Sequence, residues 1–212
     1  VSAAAVILKP MQKANQALDQ KQNILRAAGM LPAGRNVDAE GRGVDELFAQ
    51  FQPRVVDLTT GRYRDDIDPE GLDPLRVAKD PARSIRLDGS QDIATIGRRE
   101  NLSVVYVRET ADGELDKLVI PVRGYGLWGT LYGYLAIEGD LETVAGLGFY
   151  AQKETPGLGG EVDNPNWKAQ WPGVRLLDAA GAPSIPLAKT RSPAGSQQAT
   201  HDVDAFADAA LT

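Results

Sequence analysis

The 212-residue chain contains no cysteine and a single histidine, His201. Without cysteine there is no disulfide framework, no thiolate zinc site and no cysteine-ligated iron–sulfur cluster. One histidine cannot build a multi-histidine metal site. Basic residues are the minority: 23 Lys and Arg stand against 29 Asp and Glu, a net charge of -6, which argues against a nucleic-acid-binding domain. Long hydrophobic runs are missing too. The opening Val1-Ser-Ala-Ala-Ala-Val-Ile-Leu8 is small or apolar up to Lys9, but a membrane helix needs about 20 such residues. These eight are either the processed start of a soluble protein or the outer end of a transmembrane helix. Glycine and proline, by contrast, are plentiful at 22 and 13, which predicts a loop-rich fold. The length suits one domain with an ample core, with or without an appended helix.

Residues 11–28 predict a helix, with Ala14, Leu18, Leu25 and Ala28 near one stripe and Gly29 at the C-terminal cap position. A second, short helix comes next: Val44, Leu47, Phe48 and Phe51 have the spacing of one buried face, and Pro53 ends it. Residues 54–58 form a first strand. Residues 59–91 are charged, carry three prolines and read as a surface excursion with one or two helical turns. Residues 102–108, 118–122, 130–137 and 144–150 then predict four strands in sequence, with turns at Asp112-Gly113 and Gly139-Asp140. That is an antiparallel meander, and with helices outside it in sequence the fold class is α+β. Asn164-Pro165 opens a short helix over 165–170, and 174–177 and 184–188 are late strands.

Two glycine-bearing segments could carry chemistry. Gly124-Tyr-Gly-Leu-Trp-Gly129 contains a G-x-G, but the dinucleotide fingerprint needs a strand before and a helix after, and here a strand comes after. It reads as a corner between strands. Trp128 inside it could lie against a flat ligand, though burial in a core is the commoner fate of a tryptophan. Glu154-Thr-Pro-Gly-Leu-Gly-Gly160 offers little side-chain bulk, so a planar ring or an anion could approach its backbone closely; a long turn is the equal alternative. No G-x-S-x-G elbow is present, and Asp202, Asp204 and Asp208 lack calcium-loop spacing. Lys189 and Arg191 could meet a phosphate or form an exposed basic pair.

Gly124-Tyr-Gly-Leu-Trp128, Glu154-Thr-Pro-Gly-Leu-Gly-Gly-Glu161 and Asn164-Pro-x-Trp167-x-x-Gln170-Trp171 together mark a family. In them the chain resembles the C subunit of the sodium-translocating NADH:quinone oxidoreductase across essentially its whole length. The electron-transport G subunit of the Rnf complex, which shares the flavin domain, is the nearest alternative, and a flavin-less structural or assembly subunit is another. The resemblance implies an FMN electron relay within a membrane complex that oxidises NADH, reduces quinone and exports sodium. It implies residues 1–8 as the outer end of a transmembrane helix, 9–30 as a connecting helix, and 31–212 as an extracytoplasmic FMN-binding domain cut short at its C-terminus. The location implied is single-pass in the bacterial inner membrane, with the flavin domain on the periplasmic side. The partners implied are the other subunits, the membrane and a flavin transferase. Glu154, Thr155, Pro156, Gly157, Leu158 and Gly159 are then cofactor-binding residues, with Gly157, Leu158 and Gly159 one wall of the flavin site and Trp128 another, Thr155 a hydrogen-bond donor and Lys189 the phosphate partner. Family members bear FMN as a phosphoester on a threonine in Asp-x-x-Ser-Gly-Ala-Thr-x-Thr. The matching run here is Asp204-Ala-Phe-Ala-Asp-Ala-Ala-Leu-Thr212. Asp204, Ala209 and Thr212 match, but Ala207, Asp208 and Ala210 stand at the Ser, Gly and flavin-bearing Thr positions. Ala210 has no hydroxyl, so read literally the chain is not flavinylated there, and Thr212 lies two residues on.

Overall fold

A computed structural model describes residues 3–184, 187–188 and 203–204, with side chains over residues 9–184 and at Val203. The first helix, α1, runs from Ala3 to Ala27 and stops where expected. Gly29 takes φ +71, its N–H donates to Arg26 O at 3.1 Å, and Met30 N–H donates to Leu25 O at 2.9 Å. This is the reciprocal pair of a Schellman cap, in which glycine accepts the left-handed conformation without a Cβ penalty. The expected stripe holds only at the C-terminal end. Ile24, Leu25, Ala27 and Ala28 are buried, whereas residues 9–20, Ala14 and Leu18 among them, are exposed.

Helix α2 is Val44–Phe48, and strand β1 is Gln52–Asp57. Pro53 therefore lies inside a strand and does not serve as the helix stop. It is tolerated because β1 meets β2 (Arg62–Tyr63) only at Val56 and Asp57, leaving Pro53 on an open edge opposite Tyr106 of β5. Residues 59–91 are more ordered than a surface excursion. They hold β2, a 3-10 turn at Pro69–Gly71, helix α3 (Pro74–Ala78) and β3 (Ser84–Arg86), and they bury Val77, Ala78 and Ser84. Strand β3 pairs antiparallel with β4 (Arg98–Glu100), an element the sequence did not suggest. Asp73, Asp68 and Asn164 each accept backbone N–H groups at the start of a helical turn, with Pro at the next position in each case.

The meander is present as β5 (Leu102–Glu109), β6 (Leu115–Tyr125), β7 (Thr130–Glu138) and β8 (Val144–Ala151). With β1 and β2 it makes a six-stranded antiparallel sheet in the order β2-β1-β5-β6-β7-β8. Gly113, at φ +81, turns the β5–β6 hairpin. Side-chain alternation buries both faces. Val104, Tyr106, Val119, Tyr134 and Ala136 meet Ile24, Leu25, Ala27 and Leu47 on the helix side. Leu135, Ile137, Val144 and Leu147 meet Val162, Trp167, Trp171, Val174 and Val203 on the other. Helix α1 comes so close to β8 that a Cβ on Gly146 would collide with the Ala27 carbonyl.

The C-terminal part is less regular than expected. Helix α4 is Pro165–Lys168. Residues 174–177 make bridges instead of a strand, Thr143 with Arg175 and Leu177 with Pro183; among the described residues of 184–188, Ser184 is not strand and Leu187–Ala188 is, forming β9. It pairs in parallel with β10, Val203–Asp204. The 174–177 segment is held beside β8 by isolated bonds: Val144 N–H donates to Val174 O at 2.8 Å, Gly173 N–H donates to Val144 O at 2.8 Å and Leu176 N–H to Glu142 O at 2.7 Å.

A cleft of about 610 Å³ opens on the helix side, walled by Tyr106, Tyr132, Tyr134, Tyr150 and Phe48. Gln20 Nε2 donates to the hydroxyls of Tyr106 at 2.8 Å and Tyr134 at 3.3 Å. Arg123 and Glu100 pair at 2.6 Å on its lining, both nearly buried. Burial is the first cause that pushes the Tyr106 and Tyr134 hydroxyls above the usual range, and it pushes Tyr150 up to about 12. A raised folded-state value favours the neutral form, so this stability is complete below the unfolded tyrosine pKa of about 10. It is expected to be lost between about pH 10 and 12, with the phenolate absorbance of Tyr106, Tyr134 and Tyr150 rising together with unfolding rather than before it.

Candidate functional site

The site is built where the β6–β7 hairpin meets the connection leaving β8. Strand β6 ends at Tyr125, opposite Thr130, and Gly126 N–H donates to Gly129 O at 2.8 Å, so Leu127 and Trp128 form the tip. Trp128 is 63% exposed. The commoner fate, burial in a core, belongs to Trp167 and Trp171, whose rings meet edge to face at 5.3 Å.

Strand β8 departs from register near its end: Tyr132 faces Ala151 while Gly133 faces Phe149, which leaves Tyr150 as the extra residue of a bulge. Bulges bend a strand and re-aim the residues beyond them. Residues 152–160 then run beside the hairpin. Thr155 O accepts from Leu158 N–H at 3.1 Å, with Pro156 and Gly157 between and Gly157 at φ +80. Proline at the second and a positive-φ glycine at the third position define a type II turn. Gly160 N–H donates to the same Thr155 oxygen at 3.0 Å. Gly159–Asp163 continues as a 3-10 turn that buries Val162 in the far-side core.

Glu154 joins the two segments. Its Oε1 accepts the Trp128 N–H at 3.1 Å. Its own N–H donates to Gln152 Oε1 at 2.6 Å, and Gln152 Nε2 reaches Asp163 Oδ2 at 3.2 Å. Six of the ten candidate residues, Glu154, Thr155, Pro156, Gly157, Leu158 and Gly159, therefore form one continuous loop, tied to a seventh, Trp128, on the hairpin. Lys189, Ala210 and Thr212 lie outside the described residues. Their nearest described neighbours, Ala188 and Asp204, are paired in the β9–β10 register, and Val203 is fully buried beside Trp167 and Trp171. The tie through Glu154 was not visible in the sequence, where 26 residues separate it from Trp128.

The loop suits a flat ring system. Thr155, Pro156, Gly157 and Leu158 are exposed, and no atom lies within 4 Å of where a Cβ on Gly157 would stand. A planar group could thus meet bare backbone at the turn, the Leu158 side chain and the Trp128 indole.

The chain is similar to known proteins. The FMN-binding domain model matches residues 126–212, a span holding all ten candidates, so the class is a flavin-binding domain and FMN is its cofactor. Two relatives, each named as the C subunit of a Na(+)-translocating NADH-quinone reductase, match the whole chain. The protein of Pseudomonas aeruginosa is 52% identical, with 80% of its own length covered, and that of Vibrio vulnificus 45%, with 79% covered. A solved NqrC structure from Shewanella oneidensis, 32% identical, superposes at a TM-score of 0.79 over 93% of this chain and 87% of that one. The chain belongs to this family, the C subunits of the Na(+)-translocating NADH-quinone reductases.

Proposed function

We propose that this chain relays electrons through FMN as the C subunit of a sodium-pumping NADH:quinone reductase, assembled with the other subunits of that complex. One observation carries the reading: kinship along the whole chain to subunits of that name, with the FMN-binding match enclosing the hairpin tip and the Pro156-Gly157 turn. The same kinship favours this complex over the Rnf complex and its G subunit. FMN, when bound, supplies the electron transfer. The protein holds the ring between the Trp128 indole and the Thr155–Gly159 backbone, and Thr155 and Lys189 contribute polar contacts, Lys189 toward the phosphate. No proton-transfer residue is required of the protein, because redox chemistry belongs to the cofactor.

Placement on the periplasmic side of the inner membrane, with residues 1–8 as the outer end of a membrane helix, belongs to this proposal. The exposed run of residues 9–20 on α1 supports a stalk between anchor and domain. No helix among the described residues is itself long and apolar enough to cross a membrane.

Titrating the protein with FMN and following flavin fluorescence tests the site. Trp128→Ala is expected to weaken binding about three- to tenfold, the worth of one aromatic contact. Gly157→Val, which forces a β-branched residue to positive φ, should weaken it at least as much. Unchanged affinity in both variants would remove this loop from the flavin site. Failure of the parent protein to bind FMN would favour the flavin-less structural role.

A further inference from the structure

Trp128 and the Thr155–Gly159 loop sit on different connections, so nothing in the backbone ladder sets the distance between them. The last β6–β7 pair is Tyr125 with Thr130, and β8 leaves its ladder at Ala151. Glu154 spans the gap. Its side chain is half-buried and occupies a slot between two glycines, one from each connection. A Cβ on Gly126 would come within 2.5 Å of Glu154 Oε1, and a Cβ on Gly159 within 3.0 Å of its Oε2 and Cβ. A methyl on Gly126 would displace the carboxylate and also meet Leu131 Cδ1 at 2.6 Å, and a methyl on Gly159 would crowd Glu154. The close fit of this side chain thus favours glycine at both positions, quite apart from any ligand. The bond from Trp128 N–H to a carboxylate oxygen is charge-assisted, and such bonds are roughly twice as strong as neutral ones. Behind it, Gln152 fixes the Glu154 backbone and is itself held by Asp163, which Lys168 pairs at 3.1 Å. The tie therefore reaches from the hairpin tip back to helix α4, whose Trp167 is packed in the far-side core.

We infer that Glu154 is the positioning residue of the flavin site: it fixes the spacing between the Trp128 tip and the Pro156-Gly157 turn, and so the width of the slot the ring enters. This rests on the flavin reading above for its consequence, but not for the tie itself. The slot keeps its width without the cofactor, because every contact that sets it lies within the protein.

The test uses the protein labelled with 5-fluorotryptophan, whose three fluorine resonances separate exposed Trp128 from buried Trp167 and Trp171. Glu154→Ala is expected to shift and sharpen the Trp128 resonance in flavin-free protein and leave the other two in place. It should weaken FMN binding about tenfold, the usual scale for one lost hydrogen bond to a charged group. Glu154→Gln keeps an acceptor oxygen of the same reach and should restore both the resonance and the affinity to within about threefold. Gly126→Ala, which leaves Glu154 in place and blocks its slot, should reproduce the Glu154→Ala shift. An unmoved Trp128 resonance in both Glu154→Ala and Gly126→Ala overturns the inference, whatever FMN does. A moved resonance with undiminished FMN affinity overturns it differently: the tie is then real and the flavin lies elsewhere.

Discussion

Co-expressed with a flavin transferase, the chain is expected to release all of its flavin on acid denaturation. The triple change Ala207→Ser, Asp208→Gly and Ala210→Thr should turn it into a chain that retains one FMN. The argument is chemical. A phosphoester needs a hydroxyl, and Ala210 stands where the family resemblance implies the flavin-bearing threonine. Two residues earlier, Asp208 would add a carboxylate near a phosphodiester that keeps one negative charge, and like charges at about 4 Å repel by about 1 kcal/mol even in water. Intact mass spectrometry reads the outcome directly, as an increase of one FMN less one water in the triple variant and none in the parent. Ala210→Thr alone separates the two obstacles, since any adduct it forms measures how far Asp208 matters. If the parent already carries the adduct, another hydroxyl, Thr212 foremost, bears the flavin and the motif is displaced.

The largest effect on stability is expected from Gly146→Val. Gly146 lies opposite Ala136 on the helix-facing side of β8, and a Cβ there would meet the Ala27 carbonyl, a backbone atom that cannot rotate away. Valine must therefore lift the end of α1 off the sheet and open the layer formed by Ile24, Leu25 and Ala27. Overpacking of this kind costs about 3 kcal/mol or more, a fall in Tm of roughly 6–12 °C for a domain of this size. Gly148, two residues on and opposite Tyr134, is the control. No atom lies within 4 Å of its Cβ position and its φ is not positive, so Gly148→Ala should leave Tm nearly unchanged. Thermal unfolding of the two variants side by side decides whether helix contact, or glycine loss in a strand, sets the effect.

The meander was legible because its signals agree. β-branched runs such as Ser103-Val-Val-Tyr-Val107 sit between turn dipeptides, and Gly113 at positive φ confirms what Asp-Gly suggested. The cap at Gly29 and the N-cap at Asn164 were legible for the same reason, being local. The features that sequence misplaced depend on partners far along the chain. Pro53 reads as a breaker, yet an open strand edge accepts it. Val174 reads as strand, yet only isolated bridging bonds to Glu142, Thr143 and Val144 hold its segment. Trp128 beside glycines reads more readily as core than as ligand wall, and only the hairpin geometry turns it outward. The glycines of the 154–160 loop suggested room for a ligand. Of them, Gly157 leaves open space while Gly159 is filled by Glu154, a distinction that no spacing rule encodes.

Helix α1 is clamped to the sheet at residues 24–28 and tied to it again by Gln20, while its stretch from residue 9 to 19 is exposed. At about 1.5 Å per residue that exposed stretch is roughly 16 Å long. A flexible tether of the same length would let the domain explore a sphere; a helical one allows only pivoting at its far end. With that end anchored as proposed above, the hairpin tip, joined to the spoke through the sheet, reaches points on an arc of nearly constant radius. Two electron-exchange stations lying on that arc could be served in turn, and a station at any other radius could not.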